Sequence, residues 1–544
     1  MDPRWTPAFP LASLAPGSAR VYKHPDAQVA VFHLADGALH AVDNRCPHEG
    51  YPLAAGTVRG CILTCQWHNF KFDLRDGSPV MGEEGVRTYP VRVQDGVVEV
   101  DLAPPPGLVD GIWADLEAAM VVQETGRIAR GVVRLLALGV PPARIAAQAA
   151  IFDAQRAEYG TTHALPFAAA ALDPTPGVEP ALPLVQALDL AARSHVRLPR
   201  RSAPAAIDPG EDPIEAGLRV RAAVEAEDPA AEALVRGAVE KGWRRAELEP
   251  WFFGLCADHF LDFGHALIFT HAAFDLLDRT DWYGGADVLG ALTWSIVCGT
   301  REDLLPAWAG WRRRMANVSV AEGTLDRDAL VDLDRPAAFE AVAATGAGAI
   351  DALSLAAAER LLRFDLAIDR DPTVAEGWLD VTHRLTFVEA VRRALPRAPA
   401  ADGRRLLLQA AWFVAGARPL DGPSERESLP STLEEVVDAV TARRSEATAR
   451  ARAFLSAGGD AAALAAALEA VAVRDHAVRA IFLVHLIKTL RAGAAERLAT
   501  GDDRPLLAAV RHLSTPTRER NIERSVNDAV ALVHHGRPPR ALTD

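Results

Sequence analysis

Apolar and polar residues alternate over positions 29–43, VAVFHL then ADG then ALHAVD, and again over 89–102, YPVRV then QDG then VVEVDL. A period of two, broken at Asp36-Gly37 and at Asp95-Gly96, predicts two β-hairpins, because Asp-Gly accepts the positive φ angles of a tight turn. The pattern stops at Ala103-Pro104-Pro105-Pro106-Gly107, which can neither extend a sheet nor enter a helix interior and so reads as a linker. Beyond it Ala, Leu, Arg and Glu dominate in runs of helical length, among them 128–139, 143–160 and 431–458. Ser431 with Glu434 three residues on predicts a capping box at the start of the last of these. Residues 199–213, rich in proline and charge, read as a loop. The expected architecture is a small all-β domain over 1–104 followed by a large all-α domain over 105–544.

The chain has 544 residues, 49% of them hydrophobic, enough for more than one core. Its net charge of −14 argues against nucleic acid as a partner, which would call for a basic stripe. No run of apolar residues is long enough to span a bilayer, and the N-terminus lacks the basic start and apolar core of a signal peptide. A cytoplasmic protein without membrane partners is expected. Five cysteines do not suggest a disulfide framework. Cys61, Cys256 and Cys298 are expected to be small buried residues.

The remaining two cysteines change the picture. Cys46-Pro47-His48 and Cys65-Gln66-Trp67-His68 stand sixteen residues apart, each pairing one thiolate with one imidazole. That division suits a [2Fe–2S] cluster with Cys46 and Cys65 on one iron and His48 and His68 on the other. Zinc accepts the same ligand types, but usually as C-x2-4-C with H-x3-5-H. NRCPHEGYPLAAG (44–56) and TCQWHNFKFDLRDG (64–77) closely resemble the two cluster-binding loops of Rieske ferredoxins and oxygenases. The resemblance implies a Rieske [2Fe–2S] cluster. High-potential members add a disulfide between the loops. Tyr51 and Trp67 occupy the places of those cysteines here, which points to the soluble ferredoxin and oxygenase branch.

A second signal is a repeat. His followed two and four residues later by characteristic apolar or Thr positions occurs in HALPFAAAAL (163–172), HALIFTHAAF (265–274), HRLTFVEAVRRAL (383–395) and HLIKTLRAGAAERL (485–498). His163 to His383 and His265 to His485 are both 220 residues. A duplicated unit, itself double, would present His163, His265, His383 and His485 on four helices around one internal point. A lone histidine on an apolar helix is usually a core residue, but four at repeat-equivalent places suggest metal ligands, and imidazole suits iron. Asp262 and Asp380 each precede a histidine by three residues, a spacing that would let the carboxylate orient the ring or bind directly. Lys488 shares the face of His485 and could act as proton donor, or as a carbamate ligand. His259, His271 and His476 are weaker candidates, because six or nine residues from a repeat histidine places them on another helix face. His195, His512 and the His534-His535 pair read as surface or packing residues.

RLLALGVPPARIAAQAAIFD (134–153), together with THALPF, GHALIF, THRLTF and HLIKTL, resembles the questin oxidase-like family. This resemblance implies a helical oxidase with a non-haem iron held by histidines, molecular oxygen as oxidant, and an aromatic or polyketide, anthraquinone-like substrate whose ring is opened. Family members carry histidines just ahead of the ALG motif, where this chain has Arg130-Gly131. The functional expectation is an iron-dependent oxygenase whose Rieske cluster feeds electrons, drawn from NAD(P)H through a reductase, to a metal site in the helical domain. Two alternatives stand beside it. A ring-hydroxylating Rieske oxygenase would use Asp262, His265 and His271, at a spacing that is too long. A redox-sensing helical scaffold would need no second metal.

Overall fold

The computed structural model describes residues 4–371, 374, 376–423, 427–475, 479–515 and 530. His476, His534 and His535 lie outside them. The chain forms two compact units, Met1–Ala119 and Met120–Asp544.

The first unit carries eleven strands in three antiparallel sheets. One joins β1 (Trp5–Pro10), β11 (Val97–Asp101) and β10 (Val91–Gln94), in that order. The second runs β2 (Ser18–His24), β3 (Ala27–His33), β4 (Leu39–Asp43), β9 (Thr88–Tyr89). The third runs β5 (Thr57–Arg59), β6 (Ile62–Thr64), β7 (Lys71–Asp73), β8 (Pro79–Met81). Strand β3 explains why alternation weakens at its centre: Val29 and Val31 pack with Val98 and Val100, while Ala30 and Phe32 pack with Leu53, Leu63, Cys46 and Cys65. Both faces are covered, so consecutive residues are buried. The hairpin predicted at Asp95-Gly96 forms with both residues at positive φ, 51° and 78°. The turn at Asp36-Gly37 is wider than predicted, with strand pairing ending at His33 and Leu39.

Strand pairing ends at Asp101, and the first helix begins at Leu108, on either side of the proline stretch. The helices are α1 (Leu108–Val122), α2 (Thr125–Ala137), α3 (Pro142–Ala154), α4 (Ala164–Ala170), α5 (Ala181–Ser194), α6 (Pro213–Glu225), α7 (Ala230–Glu240), α8 (Arg245–Asp258), α9 (His265–Arg279) and α10 (Gly285–Cys298). Ten more follow: α11 (Ala309–Met315), α12 (Arg335–Ala343), α13 (Ile350–Arg363), α14 (Trp378–Ala394), α15 (Ala400–Gly416), α16 (Leu433–Thr441), α17 (Ala447–Ser456), α18 (Ala461–Val473), α19 (Ala480–Thr500) and α20 (Arg504–Ser514). No helix among the described residues is long and apolar enough to cross a membrane.

The expected duplication is visible as a rule of packing: what one helix touches, the helix ten places later touches in its own half. Thus α3 packs on α4, α5 and α10, as α13 packs on α14, α15 and α20. Helix α8 packs on α6 and α9, as α18 packs on α16 and α19. The four repeat helices form a ring in which α4 meets α9, α9 meets α14, α14 meets α19, and α19 returns to α4.

Several local readings need correction. Residues 431–458 form two helices, α16 and α17, with Arg443 at φ 51° in the turn between them. The capping box lies one residue later, with Thr432 as cap and Glu435 as its partner, while Ser431 bonds the Leu429 carbonyl. The helix expected over 143–160 ends at Ala154, because the Asp153 carboxylate gathers the donors of the loop that follows. Cys256 is buried, but Cys61 is half-buried and Cys298 is exposed in the last turn of α10.

Candidate metal centres

In the first unit Cys46 follows β4 and Cys65 follows β6, and the two loops are built alike. Cys46 N–H donates to the Tyr51 carbonyl and Gly50 N–H to the Cys46 carbonyl; Cys65 N–H donates to the Phe70 carbonyl and Asn69 N–H to the Cys65 carbonyl. Each loop turns through one left-handed residue, Gly50 at φ 76° and Asn69 at φ 59°. The thiols are sunk in the core, Cys46 4% and Cys65 1% exposed, whereas His68 stands in solvent. Burial pushes the Cys46 thiol up to about 11, its Cys65 neighbour adds to this, and the main-chain amides of His48 and Glu49 pull the other way. His48 Nδ1 and His68 Nδ1 face each other at 3.2 Å. Two nitrogens about 2.0–2.1 Å from one tetrahedral first-row ion stand at roughly this separation. The residues therefore divide into a buried sulfur pair and an outer nitrogen pair, the donor set a Cys2His2 [2Fe–2S] cluster requires. Phe70 stacks on His48 with ring centroids 4.6 Å apart. Tyr51 meets Trp67 edge-on at 5.7 Å, so an aromatic contact joins the loops where a disulfide was absent from the sequence.

In the second unit the ring of α4, α9, α14 and α19 brings His163, His265, His383 and His485 together, with one ligand-capable atom of each within 4.8 Å of the others. Neighbouring imidazole centroids lie 4.7 Å (163 to 265), 4.5 Å (265 to 383), 5.1 Å (383 to 485) and 4.6 Å (485 to 163) apart, in the order of the helices around the ring. His163 is the residue before α4 and His265 opens α9, while His383 and His485 lie in the second turns of α14 and α19.

The nitrogens present an electrostatic problem. His485 Nδ1–H donates to the Ile481 carbonyl at 2.6 Å, which leaves its Nε2 as a lone pair facing His383 Nε2 at 3.3 Å. His383 Nε2 in turn faces His265 Nε2 at 2.8 Å. His163 Nε2 is buried without a hydrogen-bond partner. Burial holds all four rings well below the ordinary histidine range, so each stays neutral with a single N–H, and His383 Nε2–H can satisfy only one of the two nitrogens it faces. A cation shared by the four neutral imidazoles would satisfy every inward nitrogen at once. Lys488 adds a buried Nζ with no partner, and burial brings it down to about 7.

Of the two acids, Asp380 lies on the helix of its histidine, as expected, and Asp262 does not. Asp262 sits in a turn ahead of α9, its carboxylate accepts from Thr300 N–H, and its main-chain carbonyl accepts from the His265 main-chain N–H. Asp380 Oδ2 accepts from Gly377 N–H at the start of α14, and His383 Nδ1 has no hydrogen-bond partner. The Asp380 carboxylate is used at the start of α14, and that of Asp262 ties the turn before α9 to Thr300. His271 bonds the Ala390 carbonyl through Nε2 and does not join the cluster. His259 bridges Asp303 and Glu225, and His512 packs edge-on to Trp378.

Sequence reasoning missed Asp153 and His195. Asp153 is fully buried and accepts from Thr161 Oγ1, Thr162 N–H and Thr162 Oγ1 at 2.9, 2.7 and 2.6 Å, and from His195 Nε2 at 2.8 Å. It thereby fixes the two residues that lead into His163. The threonine pair in TTHALPF was the only local hint, since the acceptor comes from another helix. Asp153→Ala is expected to weaken metal binding in the helical unit by about 10–100-fold, the usual cost of losing an outer partner, measured by competitive chelation. Ahead of His265, Asp262, Phe263 and Gly264 all have positive φ, and a Cβ on Gly264 would lie 2.3 Å from the Phe387 ring. Gly264→Ala should therefore cost roughly 2 kcal/mol or more, read as a lowered unfolding midpoint.

Fold and loops together define an iron–sulfur module: residues 4–90 match the Rieske [2Fe–2S] domain family, and the N-terminal unit of this chain belongs to it. Similar proteins include the 4beta-methylsterol monooxygenase of Methylococcus capsulatus, 38% identical over 94 residues, covering 15% of this chain and 25% of that protein. The ferredoxin subunit of anthranilate 1,2-dioxygenase from Burkholderia cepacia is 37% identical over 76 residues, 14% of this chain and 69% of its own. Among solved structures, a putative NADH-dependent nitrite reductase small subunit from Mycobacterium tuberculosis is 31% identical, covering 19% of this chain and all of that one, with a TM-score of 0.18. The chain spans a quarter of the monooxygenase it matches.

Proposed function

We propose that this protein is an oxidoreductase in which Cys46, Cys65, His48 and His68 hold a Rieske cluster and His163, His265, His383 and His485 hold a non-haem iron in the helical unit. The observation that carries the reading is the set of four neutral imidazoles, one from each helix of a closed ring, with one ligand-capable atom of each within 4.8 Å of the others. Held by these residues, the cluster would supply single-electron transfer and the iron would supply dioxygen chemistry toward an organic substrate. The protein's own residues would do the rest. The Ile481 carbonyl fixes the His485 ring with Nε2 inward, and Asp153 sets the approach of His163. Lys488 Nζ, buried beside the rings, would hold and release a proton, or supply a fifth donor. Asp380 would help place His383 from the start of α14, and Asp262 would hold the turn before His265 through Thr300.

Relatives named as a monooxygenase and a dioxygenase ferredoxin subunit support an oxygenase role. To this the proposal adds a reductase as electron donor and an aromatic or polyketide substrate, which the motifs resembling the questin oxidase-like family imply. Against a ring-hydroxylating site built on Asp262, His265 and His271, His271 is turned to the Ala390 carbonyl. The test is iron and acid-labile sulfide per chain. Two sulfides with three irons are expected, and two irons with no other bound metal would overturn the second site.

A further inference from the structure

The turns that follow the four histidines line a half-open cavity of about 280 Å³, which starts one turn past the imidazoles and has none of the four in its wall. Pro166, Ile268, Thr386 and Ile487 wall it one turn beyond the histidines of their own helices, and the Lys488 side chain joins them. Further along, alanines from all four helices, Ala169, Ala272, Ala390 and Ala492, keep it open where larger side chains would close it. The rim is charged but satisfied: Arg279 and Arg491 pair with Asp173, and Arg393 with Asp275. Glu389 is different. It lines the cavity, makes no hydrogen bond among the described residues, and has Arg393 only at 3.8 Å. Burial raises its carboxyl to about 7, so near neutrality it can donate as well as accept.

We propose that this cavity is the organic-substrate chamber of the four-histidine site, and that it takes a compact, largely apolar molecule of one or two rings whose single hydroxyl or carbonyl oxygen hydrogen-bonds Glu389. The proposal rests on the metal reading for its chemistry, though not for its binding site. Size selects the class. Ligand chambers usually run from about 300 to 1,000 Å³, so this one lies at the small end and favours two rings over the three of an anthraquinone. Polarity selects the rest: the alanine-lined wall offers packing, Glu389 is its carboxyl with unused hydrogen-bonding capacity, and Lys488 Nζ is a second unpartnered group among the described residues, at the end nearer the histidines.

The experiment titrates the full-length, cluster-loaded protein with 2-naphthol, naphthalene and 1,8-dihydroxyanthraquinone, following ligand fluorescence or heat of binding, with metal content measured on every sample. One 2-naphthol per chain is expected, with naphthalene and the tricyclic quinone each bound about 10-fold or more weakly. Ala272→Phe, or Ala492→Phe should the first not fold, fills the chamber and should abolish 2-naphthol binding while leaving the metal content unchanged. Glu389→Gln should keep binding within a few-fold, and Glu389→Leu should lose about 10-fold. Equal 2-naphthol affinity in wild type and the filled variants, or equal affinity for naphthalene and 2-naphthol, would overturn the chamber. A wild-type protein with cluster iron alone that still shows the expected binding pattern would instead overturn the metal reading and leave the chamber standing.

Discussion

His383→Ala should empty the helical metal centre while the visible spectrum of the Rieske domain stays unchanged. His383 is the ring with the most engaged inward nitrogen, 2.8 Å from His265 Nε2 and 3.3 Å from His485 Nε2, so its loss removes one donor and unsettles the spacing of two others. Metal affinity should fall by more than about 100-fold, beyond the cost of an outer partner. The fold should survive, because α14 keeps its packing against α9, α13, α15 and α19. Metal analysis with circular dichroism checks both halves of the expectation. Retention of wild-type metal would return the four histidines to packing roles.

Cys65→Ala should abolish the [2Fe–2S] cluster and its visible absorption. Cys65 is 1% exposed and its thiol neighbours that of Cys46, so the change removes one of the two buried sulfurs. A softer test is His68→Cys, at an exposed position where a thiolate adds negative charge to the cluster. The potential should fall by on the order of 100 mV or more, toward the range of all-cysteine clusters, as measured by redox titration. A Cys65→Ala protein that keeps two irons and two sulfides would break the ligand assignment.

The architecture was readable in the chain because its two periods, two before the proline stretch and about 3.6 after it, respond to burial in different ways. Four histidines could be placed on one point because a repeat turns distant positions into equivalent ones. What stayed hidden was whatever depends on the partner's side of a contact. The spacing of Asp262 to His265 assumes a continuous helix, and three left-handed residues break it. Asp153 reads as one more acid on an alanine-rich helix until the Thr161-Thr162 loop folds over it. Glu389 gives no sign, in sequence, of facing an open space rather than an arginine.

The ten-helix period has a consequence for how such a centre can arise and fail. Each half of the helical unit contributes two imidazoles, His163 and His265 from one, His383 and His485 from the other. A chain of half the length would own two donors and could complete the set only by pairing with its own copy. In the joined chain that pairing is covalent, so the donors from the two halves no longer have to find each other at a bimolecular cost. Identity between the halves is also no longer enforced. One half is at liberty to change its histidine's helix register, as α14 and α19 have done relative to α4 and α9, while the other keeps the site in place.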